Sequence, residues 1–251
     1  MSSRVIPISW CSAKRMAPAA PALIARIVCA EAILSHRVLL AVEHPSVANA
    51  DWQDAWALPH DAFRAALPDR GWRGRFDGVG REAMLALVLG AHALKDGGAE
   101  VDIVAFNGTC DDAQKVRFAD LPSQGPHQAA QAENIAEGAR RKNYDRVIVL
   151  VGGLHAATAP VSIGGPLFEP MAMRLRSYGS VVSLELQHGG GGEAWTCQRE
   201  CKANRADVRM TSDRPPYIGL GETPSKLRAS YDGIYWVGPI TASPPAFPPE
   251  N

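Results

Sequence analysis

The sequence predicts an α/β protein built on a mainly parallel sheet with helices on both faces, followed by an irregular Gly/Pro-rich C-terminal part. Three observations carry this expectation. Short continuous apolar runs, Val38–Val42 and Val147–Val151, have the length and β-branched content of buried strands, and Val101–Phe106, interrupted by Asp102, reads as another strand. Segments with helical apolar spacing separate them, at the distances of βαβ units. From Gly189 onward, Gly, Pro, Ser and charged residues dominate.

Taken in order, Val5 to Ser9 is extended in character but contains Pro7, which confines it to an edge or first strand. Leu23, Ile24, Ile27, Val28 and Ile33 fall near one side of a helix over Pro21–Leu34. The run Val38–Val42 stops sharply at Glu43-His44-Pro45, because a residue before proline leaves the helical region and proline lacks a donor. Asp51–Arg70 holds short, Pro-punctuated helical pieces. Arg81–Lys95 is a helix closed by Asp96-Gly97-Gly98. Asp111–Pro126 reads as a polar excursion and His127–Arg141 as a helix. Gly164-Gly165-Pro166 introduces a helix over Leu167–Arg176. Val181–Leu186 and Tyr231–Val237 are the remaining strands, and the tail from Ser243 to Pro249 is extended and loose. Right-handed crossovers would set the helices on either side of the sheet.

Composition narrows the function classes. The chain has 251 residues, 46% hydrophobic and 21% charged, enough for one α/β domain over 1–251 with a core at about 20–188 and an extension at about 189–251. Its 26 basic and 26 acidic side chains cancel, so no basic surplus collects phosphates and nucleic acid is not an expected partner. No apolar stretch approaches the roughly 20 residues of a transmembrane helix. Arg4, Lys14 and Arg15 ahead of an Ala/Pro-rich segment imitate a signal peptide, but Arg26 interrupts it and no clean cleavage site is present after it. The visible start favours the cytoplasm; a periplasmic or secreted location is expected if an upstream signal is missing. Five scattered cysteines do not make a disulfide-built fold. Cys197 and Cys201 suit a disulfide or two plain thiols better than a zinc site, since no second Cys/His pair stands at ribbon spacing. Trp52, Trp56 and Trp72 read as core or rim packing.

Parallel strands deliver the residues at their C-terminal ends to one rim, where open α/β sheets bind their ligands. Here the strand ends carry Glu43-His44, Asn107-Gly108, Gly152-Gly153-Leu154-His155, and Gln187-His188 ahead of four glycines. His155 has the residue type of a general base, proton shuttle or metal ligand, and Gly152 and Gly153 let the backbone turn sharply near a ligand. Its ordinary alternative is a structural histidine bonded to a loop. Glu43 at the end of a buried strand needs compensation, for which Arg81 is the expected partner; a capping carboxylate and an exposed arginine are the ordinary alternatives. His44, Asn107 and His188 are expected ligand-binding groups, although His44 before Pro45 can point away. The glycine run Gly189–Gly192 lacks phosphate-loop spacing, and neither a GxSxG elbow nor an HExxH helix is present.

Several segments together resemble the haem-binding-uptake/TIKI superfamily, which includes ChaN-like and erythromycin-esterase-like proteins. They are Ala20-Pro21-Ala22-Leu23 leading to Cys29, Leu40-Ala41-Val42-Glu43, Asp77–Met84 with Arg81, Val149–Ala156, Tyr231-Asp232-Gly233, and Thr241–Ala246. The resemblance implies hydrolytic chemistry by Glu and His groups, in some members with a divalent metal, or haem binding in others. It also implies a first-strand Gly-Glu-x-His motif, where this chain has Ser12-Ala13-Lys14-Arg15. An arginine at the helix start before the fourth strand is replaced by His127. The retained set is Glu43, Arg81 and His155. These residues point to a hydrolase of esterase or metal-assisted peptidase type acting on a small-molecule substrate. The alternatives are a non-catalytic binder of haem or another small anionic molecule, with His155 or His188 as axial ligand, and a catalytically degenerate scaffold.

Overall fold

The computed structural model describes residues 19–247, apart from 76, 190, 191, 198–200, 208 and 223–229. The expected first strand Val5–Ser9 and the stretch Ser12–Arg15 lie outside the described residues.

The apolar run at Val38 becomes the central strand. β1 (Val38–Pro45) lies between β2 (Val101–Asn107) and β3 (Arg146–Val149), parallel to both, with Leu40 opposite Ile103 on one side and Ile148 on the other. Side chains alternate along a strand, and each set meets its own core. Val38, Leu40 and Val42 pack with Ile24 and Val28 of α1 (Ala19–Ile33), Trp52 of α2 (Asn49–Trp56), and Leu87 and Val88 further along the chain. Leu39 and Ala41 pack instead with Val104, Phe106, Ala132, Ile135 and Met171. Two buried sets explain why the sequence shows an unbroken apolar run rather than an alternating one.

Between β1 and β2 the chain makes α2, α3 (His60–Ala66) and α4 (Glu82–Asp96). Beyond β2 come α5 (Asp112–Phe118) and α6 (Gly125–Arg140). The polar excursion expected over Asp111–Pro126 is thus partly helical. Asp111 caps α5 by accepting from the Gln114 backbone N–H at 2.7 Å, a short-range cap that the polar composition disguised. On α6, Gly138 permits close packing, because a Cβ there would stand 3.1 Å from Val104 Cγ2.

Among the described residues the parallel sheet has three strands, and the later expected strands at Val181–Leu186 and Tyr231–Val237 are not part of it. β3 is followed by the single turn α7 (Gly153–Ala156) and by α8 (Met171–Leu175), shorter than the expected helix because Pro170 caps its start. The expected strand at Val181–Leu186 begins at Leu184. This β4 (Leu184–Gln187) pairs with the last strand instead of β3. Its sheet runs β4-β8-β7, with β8 (Gly233–Trp236) parallel to β4 and antiparallel to β7 (Tyr217–Leu220). β5 (Glu193–Cys197) and β6 (Cys201–Arg205) form a separate antiparallel hairpin, with Cys197 and Cys201 in register. Cys29 is disulfide-bonded and Cys110 is free. A groove of about 640 Å³ lies between β3 and the second sheet, lined by Val147, Val149, Val151, Leu184, Ile218 and Tyr235 among others.

The described part of the tail, residues 243–247, is extended, as expected, but held in place rather than loose. The Glu82 N–H donates to the Pro244 carbonyl at 3.0 Å and the Ala83 N–H to Ser243 Oγ at 3.1 Å, so the tail satisfies two of the orphan donors at the start of α4. Ala246 and Phe247 join the core beside α4. No helix among the described residues is long and apolar enough to cross a membrane.

Leu40 is fully buried at the centre of this arrangement. Leu40→Ala is expected to lower unfolding free energy by about 2–5 kcal/mol, read from the midpoint of urea denaturation at constant slope.

Candidate functional site

Glu43 and His155 meet. Parallel pairing of β1 and β3 delivers Glu43 and the Gly152–His155 turn to the same end of the sheet, and His155 Nε2 lies 3.8 Å from Glu43 Oε1. The two side chains keep 18% and 19% of their surface exposed, which leaves them reachable by a small molecule. The other ring nitrogen, Nδ1, lies 2.9 Å from Gln128 Oε1. That oxygen also accepts the Met171 backbone N–H at 3.0 Å, which identifies it as the amide oxygen. Nδ1 must therefore carry the proton, and the neutral ring turns its Nε2 lone pair toward Glu43.

Burial shapes the protonation of both groups. Desolvation pushes the Glu43 carboxyl up to about 7, with Arg75 pulling down, Asp77 pushing up and a backbone hydrogen bond from Gly152 pulling down. Desolvation, reinforced by His127, depresses His155 to about 4. The distance alone would classify this as an ion pair. The titration order says otherwise: the imidazole has lost its charge before the carboxyl acquires one. Near neutrality the pair is a neutral imidazole beside a carboxyl that exchanges its proton readily.

The cation that acts on Glu43 is Arg75. Its Nη2 donates to the Glu43 carbonyl at 3.0 Å and its Nε to Asp77 Oδ1 at 2.7 Å. The same Asp77 oxygen accepts the Val79 and Gly80 N–H groups at 3.2 Å each. Burial raises Asp77, but Arg75 and these N–H groups outweigh it and hold the carboxyl below its usual range. Gly80 is needed here, since a Cβ would come within 2.6 Å of the Arg75 carbonyl oxygen. Arg81, expected to compensate Glu43, is buried one step further back. Its Nε donates to the Asp77 carbonyl at 2.9 Å and its backbone bridges to Pro245.

The remaining expected residues separate. His44 follows Glu43 on the strand and so faces the other way. It is fully buried between Trp52 and Trp72, with ring centroids 4.7 and 4.8 Å away, and burial lowers it to about 3. Among the described residues neither of its ring nitrogens has a hydrogen-bond partner. Asn107 accepts from Gln131 Nε2 at 2.8 Å. His188 stands at the end of β4 in the second sheet, its carbonyl accepting from Arg209 and Met210. Of Gly189–Gly192, residues 190 and 191 lie outside the described residues. Gly152 and Gly153 line the turn, but Gly152 has φ −60° and a Cβ on either would make only ordinary contacts, so neither glycine is demanded by sterics.

The sequence reading missed Gln128, Arg75 and Asp77. Gln128 did leave a signal. Together with Gln131 and Asn134 it forms a polar row spaced by three along α6, all buried, in a helix whose other inward residues are mainly alanine. Tyr231 also borders the site, donating to the Gly153 carbonyl at 2.9 Å. His127 stands with its ring centroid 5.9 Å from that of His155.

The cofactors implied by the resemblance do not fit this geometry. Glu43 and His155 supply two donor atoms, short of the three protein ligands of a catalytic zinc site. For haem, the free Nε2 of His155 is aimed at the Glu43 carboxyl 3.8 Å away, so the carboxyl stands where an axial iron would have to sit.

No family model matches the sequence, and no curated protein matches it. Among solved structures the chain is similar to the type III effector HopBA1, with a TM-score of 0.44 and 14% identity over 88% of this chain and 82% of that one. A likeness of that size carries no argument about function.

Because Arg75 lowers Glu43, Arg75→Met is expected to move the Glu43 pKa upward from about 7, read by carboxyl chemical shift against pH. Stability carries the same signature. A raised folded-state pKa contributes stability that is full below about 4.5 and lost as pH rises through about 7. Glu43→Gln lacks this loss, so its stability relative to wild type should improve by about 2–3 kcal/mol between pH 5 and pH 8.

Proposed function

We propose that this chain is a hydrolase, a divergent relative of the TIKI, ChaN-like and erythromycin-esterase-like proteins, with a doubly covered parallel sheet and a working site reduced to Glu43 and His155. The observation that carries the proposal is the imidazole held in one tautomer by Gln128, with its free lone pair 3.8 Å from a carboxyl that titrates near 7. Efficient general acid–base catalysis wants a group whose pKa lies near the working pH, and burial brings Glu43 there.

In this reading a water molecule sits beside the pair, one O–H directed at Glu43 and the other at His155. Above pH 7 ionised Glu43 takes its proton as the oxygen attacks a carbonyl carbon. His155 Nε2 accepts a hydrogen bond from the same nucleophile and orients it, while Gln128 keeps the ring from turning. Protonated Glu43 then returns the proton to the leaving group. Arg75 and Asp77 set the carboxyl pKa without touching substrate. Arg81 braces their turn against the tail, a positioning role instead of the charge-stabilising one expected from sequence. The order and spacing of the resembling segments support this reading. So does the contact of Thr241–Ala246 with the Arg81 segment, since two stretches that resemble the superfamily separately also pack together.

A second reading, a non-catalytic small-molecule binder, is favoured by the apolar groove whose lining includes Val151 and Ala156, next to His155. One experiment separates the two. With a panel of nitrophenyl esters and short peptides, wild-type turnover should rise with pH through an apparent pKa near 7. Glu43→Gln should lower kcat by at least about 100-fold. Turnover unchanged in that variant would refute the catalytic reading, and ligand binding without turnover by either protein would establish the binder.

A further inference from the structure

A second cluster of polar side chains lies where α3 meets α4, and it shares no residue with the Glu43 site. His92 and Asp96 are four apart on α4 and so face the same way, and His60 opens α3. Their ligand atoms all lie within 4.8 Å of one another. His92 is fully buried, its ring stacked on Phe63 at 4.1 Å and set edgewise to Trp56 at 4.9 Å. Its Nε2 lies 3.2 Å from the Trp56 carbonyl oxygen, which can only accept. Nε2 therefore carries the hydrogen, and the neutral ring presents the Nδ1 lone pair to the cluster.

That lone pair lies 3.2 Å from His60 Nδ1 and 3.9 Å from Asp96 Oδ1. Two imidazole nitrogens bound to one tetrahedral zinc at 2.0–2.1 Å stand about 3.3 Å apart, so the observed pair is already spaced as ligands. The carboxylate must close by about 0.6 Å on His92, and it lies within 4.8 Å of the His60 ligand atom. Its other oxygen accepts the His60 backbone N–H at 2.8 Å, which ties the start of α3 to the end of α4. A ring nitrogen hydrogen-bonded to a backbone carbonyl is the arrangement that orients metal-bound histidines. His60 is half-buried and Asp96 exposed, so the cluster opens to solvent for ion entry and for water to complete the coordination. Lys95 Nζ, 3.5 Å from Asp96 Oδ1, is the cation an incoming metal would displace.

We propose that His60, His92 and Asp96 form a binding site for a zinc-class divalent ion that cross-links α3 to α4. Two imidazoles with one carboxylate suit zinc, cobalt or nickel and disfavour magnesium and calcium.

The test uses the purified full chain, equilibrium dialysis against Zn²⁺, and thermal unfolding with and without the metal. Wild type and Glu43→Gln are expected to bind one equivalent each and to gain thermal stability from it. His60→Ala and Asp96→Asn should each weaken binding at least about tenfold and abolish the gain. Both positions lie outside the buried core, and if one variant fails to fold the other carries the test. Absence of binding to wild type at about 100 µM zinc, or affinity unchanged in the folded variants, would overturn the proposal. The first result leaves a His60–His92 hydrogen bond, and the second places the metal elsewhere, for instance on the cysteines.

Discussion

Everything in the described fold is organised by the burial of β1 on both of its faces. Val38, Leu40 and Val42 enter one core and Leu39 and Ala41 the other, with β2 and β3 running parallel on either side. This double burial fixes the strand's register, because a slip of one residue would exchange the two sets. It also divides the polar residues at the strand's end. Glu43 continues one set and reaches the Gly152–His155 turn, whereas His44 continues the other and ends among tryptophans. Adjacent residues that look alike in sequence therefore have unrelated surroundings.

The electrostatics of the site derive from the same burial. Removing water from a carboxyl and an imidazole drives both toward their neutral forms, raising one pKa and lowering the other. The two values cross, and a pair close enough to be an ion pair is instead set up to hold and pass a proton. Arg75 restrains the upward shift of Glu43 and Asp77 adds to it, and the geometry of both rests on a turn that only glycine at position 80 allows. The α6 amide row completes the arrangement. Gln128 fixes the tautomer of His155, Gln131 binds Asn107, and Asn134 donates to the carbonyls of Phe106 and Gly108. One helix thus satisfies the polar groups at the ends of two strands.

Under the relationship to the TIKI superfamily that we propose, the site would keep only part of that pattern. Glu43 and His155 face one another, while the first-strand carboxylate and histidine of that pattern have no counterpart in Ser12-Ala13-Lys14-Arg15. With two donors instead of four, proton transfer is the chemistry that the remaining pair can perform without further ligands. The His60, His92 and Asp96 cluster is the better metal ligand set, with three donor atoms and an oriented ring.

The sequence by itself determined what local forces decide. Apolar runs marked the three parallel strands, apolar spacing marked α1, α4 and α6, and strand-end composition marked Glu43 and His155. Each is written in neighbours a few residues apart. Only the tertiary structure decided which strands pair: an apolar run reports that a strand is buried but not beside what, so β4 joined β8 rather than β3. It also decided which cation sits near Glu43. Arg75 and Arg81 are both plausible on the chain, and the choice depends on how the Asp77 turn folds back over the strand end. The partners of His155 and of the tail, and the Trp56 and His60 partners of His92, lie tens of residues away or more. Those contacts exist because distant segments pack together, and no local pattern encodes them.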